Sequence, residues 1–124
     1  MRTILLSIKR EYCQLIFKGL KRVEYRRNFP DKDIDKILVY ESRGCRKVIG
    51  ELIVERIISK SLDTLWEDTY DIGGIDRTLF DGYFAGKEHG IGIIIKNSIL
   101  YPVPLELSSL GITSAPQNFI YLHT

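Results

Sequence analysis

Cysteine is scarce in this sequence. Cys13 and Cys45 are the only two in 124 residues, and neither belongs to a CxxC pair or has a histidine at zinc-ligand spacing. That absence argues against a zinc ribbon or finger, and both thiols are expected to be reduced and structural. Long hydrophobic runs are missing as well. The segment MRTILLSIKREY is apolar for about five residues before Lys9 and Arg10 interrupt it, short of the roughly 7 to 15 that a signal-peptide core requires. The later run from Gly90 to Ile95 falls far below the roughly 20 residues of a membrane-spanning helix. A cytoplasmic protein without a membrane segment is therefore expected. Neither sign of charge dominates: 18 Lys and Arg against 16 Asp and Glu give a net charge of +2. So small an excess is silent about nucleic acid, because that inference needs basic residues clustered on one face.

What is present fits one domain spanning residues 1–124. With 44% hydrophobic residues, a chain of this size buries roughly two thirds of its unfolded surface and needs neither disulfides nor a structural metal to fold. No internal repeat, low-complexity tract or linker divides it. The charge is unevenly spread, however. Residues 18–27, KGLKRVEYRR, hold Lys18, Lys21, Arg22, Arg26 and Arg27 against a single acid, Glu24. This cluster is the first pointer to function.

Hydrophobic periodicity gives an order of elements. Thr3 to Ile8 reads as a short buried strand. From Glu11 the period changes, and Tyr12, Leu15, Ile16 and Leu20 form the apolar stripe of a helix closed by a left-handed Gly19. RVEYRR then alternates, with Val23 and Tyr25 facing one way and Arg22, Glu24 and Arg26 the other. After the turn-like NFPDKD, residues 36–42 and 47–59 form a long antiparallel hairpin joined by SRGCR, with Gly44 supplying a positive φ. Ser61 and Asp76 are candidate N-caps of two short helices, the second carrying Leu79, Phe80, Tyr83 and Phe84 as a packing stripe. Gly90 to Lys96 is a core strand, Pro102 and Pro104 break the chain, and Phe119 to His123 closes the structure.

The segment Gly19-x-Lys21-x-x-Glu24-x-Arg26 resembles the GxKxxExR signature of the ASCH (activating-signal-cointegrator homology) family, a branch of the PUA-like superfamily. Similarity extends over nearly the whole chain. LLSIKREYCQLIFKG resembles the first strand and helix of that family and ILVYESRGCRKVIGEL its central hairpin. LWEDTYDIGGI and LFDGYFAGK resemble its helical insertion, and PQNFIYL its final strand. The resemblance implies an α+β fold, a mainly antiparallel PUA-like β-barrel with a helix after the first strand and a short helical insertion. It also implies a cleft floored by the signature residues and a ligand that is RNA or nucleotide-like. Some members are implied to act on RNA or on acetylated cytidine through a lysine, a threonine and a glutamate. Lys21 matches that lysine, but Glu24 stands where the threonine belongs, which removes the nucleophile. If the protein is an enzyme, Lys21 and Glu24 are the candidate acid-base pair; a protein-interaction module is the third reading.

Around that signature, Lys21, Arg26 and Arg27 suit phosphate oxygens, and Glu24 suits an exocyclic amine or the orientation of its basic neighbours. Tyr40, Ser42 and Lys47, in the central hairpin, form a candidate trio for stacking a base and gripping its phosphate. The Gln117 amide can read a base edge. No metal or cofactor is expected. GKEHGIG lacks the Ser or Thr and the earlier glycine of a phosphate-binding loop, and Gly90-x-Gly92 lacks the third glycine of a dinucleotide site. His89 and His123 stand apart from any partner in the sequence.

Overall fold

The computed structural model describes residues 2–29 and 33–122. Pro30, Asp31 and Lys32 of the expected turn, and His123, lie outside the described residues. Six strands and three α-helices follow one another as β1 (Thr3–Lys9), α1 (Arg10–Phe17), β2 (Val23–Arg26), β3 (Lys36–Ser42), β4 (Val48–Ser61), α2 (Leu62–Thr69), α3 (Arg77–Tyr83), β5 (His89–Leu105) and β6 (Phe119–Leu122). A short 3-10 helix, Leu107–Leu110, lies between β5 and β6.

All six strands share one sheet in the order β2-β5-β4-β3-β1-β6. β1 pairs with β3 in parallel, and every other pairing is antiparallel. The class is therefore α+β, as expected, but the barrel is not closed. β2 and β6 end the sheet, and no backbone ladder joins them among the described residues. The gap is spanned by a side chain instead: Arg26 on β2 donates to Ser7 O on β1 at 2.8 Å and to Asn118 Oδ1, beside β6, at 3.0 Å.

β1 is buried on both faces because a separate core packs against each side of it. Ile4, Leu6 and Ile8 join Ile16, Ile37, Val39, Ile93 and Ile95 in the largest core, under α1, whereas Leu5 faces a second core with Leu38, Tyr40 and Val48. A third core gathers Val23 and Tyr25 from β2 under Leu65, Phe80 and Phe84 of the helical insertion. The expected alternation of β2 is thus present. In α3, the Asp76 carboxylate accepts the Leu79 N–H at 2.9 Å, the expected cap. Ser61 precedes α2 but makes no capping bond to its backbone; its hydroxyl donates to Thr64 Oγ1 instead.

Three local expectations need correction. Leu20 is 62% exposed and outside the apolar stripe, because α1 stops at Phe17 and the chain reverses. The Leu20 N–H bonds Leu15 O and the Gly19 N–H bonds Ile16 O around a Gly19 φ of 77°, a Schellman closure. In the β3–β4 turn the positive φ values fall on Arg43 and Arg46, not on Gly44. Pro102 and Pro104 do not end the strand either. β5 runs through both to Leu105, since they fall in the bulge where the register against β4 jumps from Leu100 to Leu105, and β2 pairs only with the Ile91–Ile94 stretch on the other side; neither proline owes a ladder bond there.

Candidate functional site

The carboxyl ends of the parallel strands β1 and β3 stop level with each other, Lys9 opposite Ser42, and a cleft of about 420 Å3 opens beyond them. α1 supplies Tyr12, β2 supplies Glu24 and Arg26, the helical insertion supplies Ile75 and Tyr83, and the approach to β6 supplies Pro116 and Gln117. A volume of that size lies in the range of small-molecule pockets.

Lys21 lies on the floor, only 2% exposed. The reversal at Gly19 sends it inward, where its Nζ donates to Gly73 O at 2.8 Å and sits 4.7 Å from the Tyr25 ring centre and 5.5 Å from that of Tyr12. Two glycines make this cage possible. A Cβ on Gly73 would overlap the Tyr25 hydroxyl, and one on Gly74, whose φ is 70°, would lie 2.8 Å from Lys21 Cβ. Burial pushes the Lys21 ammonium down to about 8; the nearby Glu24 carboxylate opposes that fall and Arg26 adds to it. The Tyr25 hydroxyl is itself bonded to Thr69 Oγ1 at 2.6 Å, and that hydroxyl donates to Leu65 O.

Glu24 is 5% exposed, and its Oε2 lies 3.0 Å from Arg26 Nη2. Arg26 commits both terminal nitrogens within the protein, to Glu24, Ser7 O and Asn118, and its Nε is buried without a partner among the described residues. It therefore acts first as a clasp between β2 and the β1–β6 edge. Tyr12 and Tyr83 flank the cleft with their phenols held above the ordinary tyrosine value, chiefly by burial. Lys9 and Arg43 add positive charge at the rim.

Of the residues picked out in the sequence, Lys21, Glu24, Arg26, Ser42 and Gln117 converge on this cleft. Arg27, Tyr40 and Lys47 do not line it. Arg27 donates to Tyr83 O and Ala85 O at 2.9 Å, steadying the end of α3. Tyr40 is buried in the core with Leu5 and Val48, and Lys47 pairs with Glu106 at 3.1 Å. Lys9, Tyr12, Arg43 and Tyr83 escaped the sequence reading. Tyr12 carried the signal of a helix packing stripe, which it also serves; Tyr83 belongs to the expected α3 stripe, of which only Phe80 and Phe84 are buried while Leu79 and Tyr83 are exposed. Lys9 stands at the strand-to-helix corner that the change of period at Glu11 marks. Among the described residues no three His, Cys, Asp or Glu side chains cluster as a metal ion would require, and no helix is long and apolar enough to cross a membrane.

Comparison with known proteins gives this cleft a context. A family model described as the ASCH domain matches residues 6–99. The large ribosomal subunit protein uL22 of Ureaplasma parvum serovar 3 is 27% identical over 121 residues; the match takes in 97% of this chain but 39% of that protein. This chain thus spans well under half of that relative. An ASCH domain-containing ribonuclease of Zymomonas mobilis is 27% identical over 123 residues, covering 94% of this chain and 82% of that one. The crystal structure of ASCH from Zymomonas mobilis superposes with a TM-score of 0.88 at 25% identity, over 98% of this chain and 87% of that one.

Proposed function

The chain belongs to the ASCH domain family, and within it we propose an RNA-binding protein whose cleft takes one nucleotide of a single strand. The observation that carries this reading is a buried ammonium and a buried carboxylate, Lys21 and Glu24, on the floor of an open, cation-rimmed cleft of about 420 Å3. Tyr12 and Tyr83 offer rings on which a base can stack. Lys9 and Arg43 face the backbone phosphates, and Glu24 and Gln117 offer hydrogen-bonding atoms to a base edge. Arg26 holds Glu24 in place. The Zymomonas mobilis relative, named as a ribonuclease, supports RNA over a free metabolite. An open cleft also disfavours the protein-interaction module, which needs a site filled by side chains.

A second reading, cleavage of the bound RNA, is favoured by the Lys21 ammonium near 8. At neutral pH it is mostly protonated and acidic enough to hand a proton to a departing 5′ oxygen. Glu24 would accept the 2′-hydroxyl proton as the 2′ oxygen attacks phosphorus and the bond to the 5′ oxygen breaks, leaving a 2′,3′-cyclic phosphate. An amidase reaction on an acetylated cytidine is weakened by Glu24 standing where a threonine nucleophile belongs.

The test is a titration of the purified protein with single-stranded RNA hexamers at rising salt, followed by analysis of the RNA for cyclic-phosphate ends. Binding that weakens with salt, with a slope of roughly 0.7 per phosphate contact, is expected. Absence of salt-sensitive association with every RNA tried would end the binding proposal, and intact RNA after saturation would end the cleavage reading alone.

A further inference from the structure

The turn joining β3 to β4 holds two arginines in an uncommon backbone state. Arg43 and Arg46 have φ values of 57° and 56°, in the left-handed region where the Cβ of an L-residue crowds its own backbone. The turn is well tied. Arg46 N–H bonds Glu41 O at 3.2 Å, Glu41 N–H bonds Lys47 O at 3.0 Å, and the Glu41 carboxylate accepts Cys45 N–H at 2.9 Å. A Cβ on Gly44 would overlap that same carboxylate. Both arginines are exposed, and among the described residues neither guanidinium has a hydrogen-bond or ion-pair partner. Non-glycine residues held in this backbone region concentrate at ligand clamps and switches.

The two side chains border different hollows. Arg43 lines the cleft, whereas Arg46 lines a second, more open hollow of about 490 Å3 with Ser108, Gly111 and Thr113. One stretch of chain borders both, since Thr113 belongs to the second hollow and Pro116 and Gln117 to the first. Three Cα steps of ~3.8 Å put Arg43 and Arg46 no more than about 11 Å apart. The one acid lining the second hollow, Glu106, is paired with Lys47 at 3.1 Å, and among the described residues no carboxylate forms an ion pair with Arg46.

We propose that this second hollow is a subsite for the phosphate and sugar next to the nucleotide in the cleft, bridged by the Arg43–Arg46 turn. The substrate class is then a single-stranded RNA oligonucleotide, not a free nucleotide. The proposal rests on the reading of the cleft as an RNA site and adds the path and the minimum length of the strand. Lys47 and Glu106 neutralise each other beside that path, and the Ser108 and Thr113 hydroxyls supply donors for phosphate or ribose oxygens.

The experiment compares a mononucleotide, an RNA trimer and an RNA hexamer for binding to the wild-type protein and to Arg46→Asn and Arg46→Lys. Asparagine tolerates the left-handed backbone, so the first variant removes the charge without adding strain; thermal melts confirm that both fold. Wild type should bind the trimer and hexamer more tightly than the mononucleotide. In Arg46→Asn the ratio of hexamer to mononucleotide affinity should fall roughly fivefold, the scale of one exposed ionic contact, with the hexamer salt slope lower by about 0.7. Arg46→Lys should restore most of both. Equal affinity for mononucleotide and hexamer, or an unchanged ratio and slope in Arg46→Asn, would overturn the subsite while leaving the cleft as an RNA site. Failure of wild type to bind any of the three overturns both.

Discussion

Replacing Lys21 by methionine offers a direct measure of what burying the ammonium costs. In the unfolded chain the amine titrates at the ordinary lysine value of 10.5, and in the fold burial pushes it down to about 8. The unfolded state therefore holds this proton more tightly. Between those two values wild-type stability rises with pH, and as pH falls below the folded value the contribution is lost. From pH 7 to pH 9.5 that rise amounts to about 2 kcal/mol for a group with these two pKa values. Lys21→Met keeps a similar volume and removes the titration. It also loses the bond to Gly73 O and the ring contacts with Tyr25 and Tyr12; the part of these that depends on the charge is already contained in the folded value near 8, and the rest does not change with pH. Urea denaturation of both proteins at pH 7, 8, 9 and 9.5 isolates the linked term as the change in their stability difference. The difference should grow in favour of wild type by about 2 kcal/mol across the series. A flat difference would show that the Lys21 amine titrates alike in the folded and unfolded chain.

Arg26→Ala should destabilise the fold by about 3 kcal/mol, since it leaves Glu24 buried without its ion-pair partner and opens the clasp to Ser7 and Asn118; an unchanged melting temperature would show that the clasp contributes nothing. Lys9→Ala, at the rim of the cleft, should weaken every RNA alike and lower the salt slope by about 0.7, and a loss confined to particular sequences would argue against phosphate contact. Gly73→Ala forces a Cβ against the Tyr25 hydroxyl and should cost about 2 kcal/mol, measurable as a lower urea midpoint, while Tyr25→Phe in the same cage should cost about 1 kcal/mol for the lost bond to Thr69.

Local chemistry made most of the elements legible in the chain. The change from period two to period 3.6 at Glu11, the glycine that ends α1 and the aspartate that caps α3 each act within a few residues, and each appears in the fold where the sequence places it. β2 could be read to the facing of individual side chains, because strand alternation is a property of the backbone itself. Failures came where two segments distant in sequence meet. β5 continues past two prolines because they fall in a bulge where the register against β4 jumps from Leu100 to Leu105, while β2 on the other side pairs no further than Ile94.

The site divides along the same line. That Lys21, Glu24 and Arg26 lie close together, and that the last two share one face of a strand, follows from the chain alone, since four to six residues permit little else. It carried no sign that Lys21 would be caged by a carbonyl 52 residues away, and burial is what sets the acidity of its ammonium. Nor did it separate Ser42, which reaches the cleft, from Tyr40, which is sealed in the core two positions earlier. These points rest on the assembled fold, because depth, distance and solvent access belong to surfaces built from several segments at once, whereas periodicity and capping belong to one.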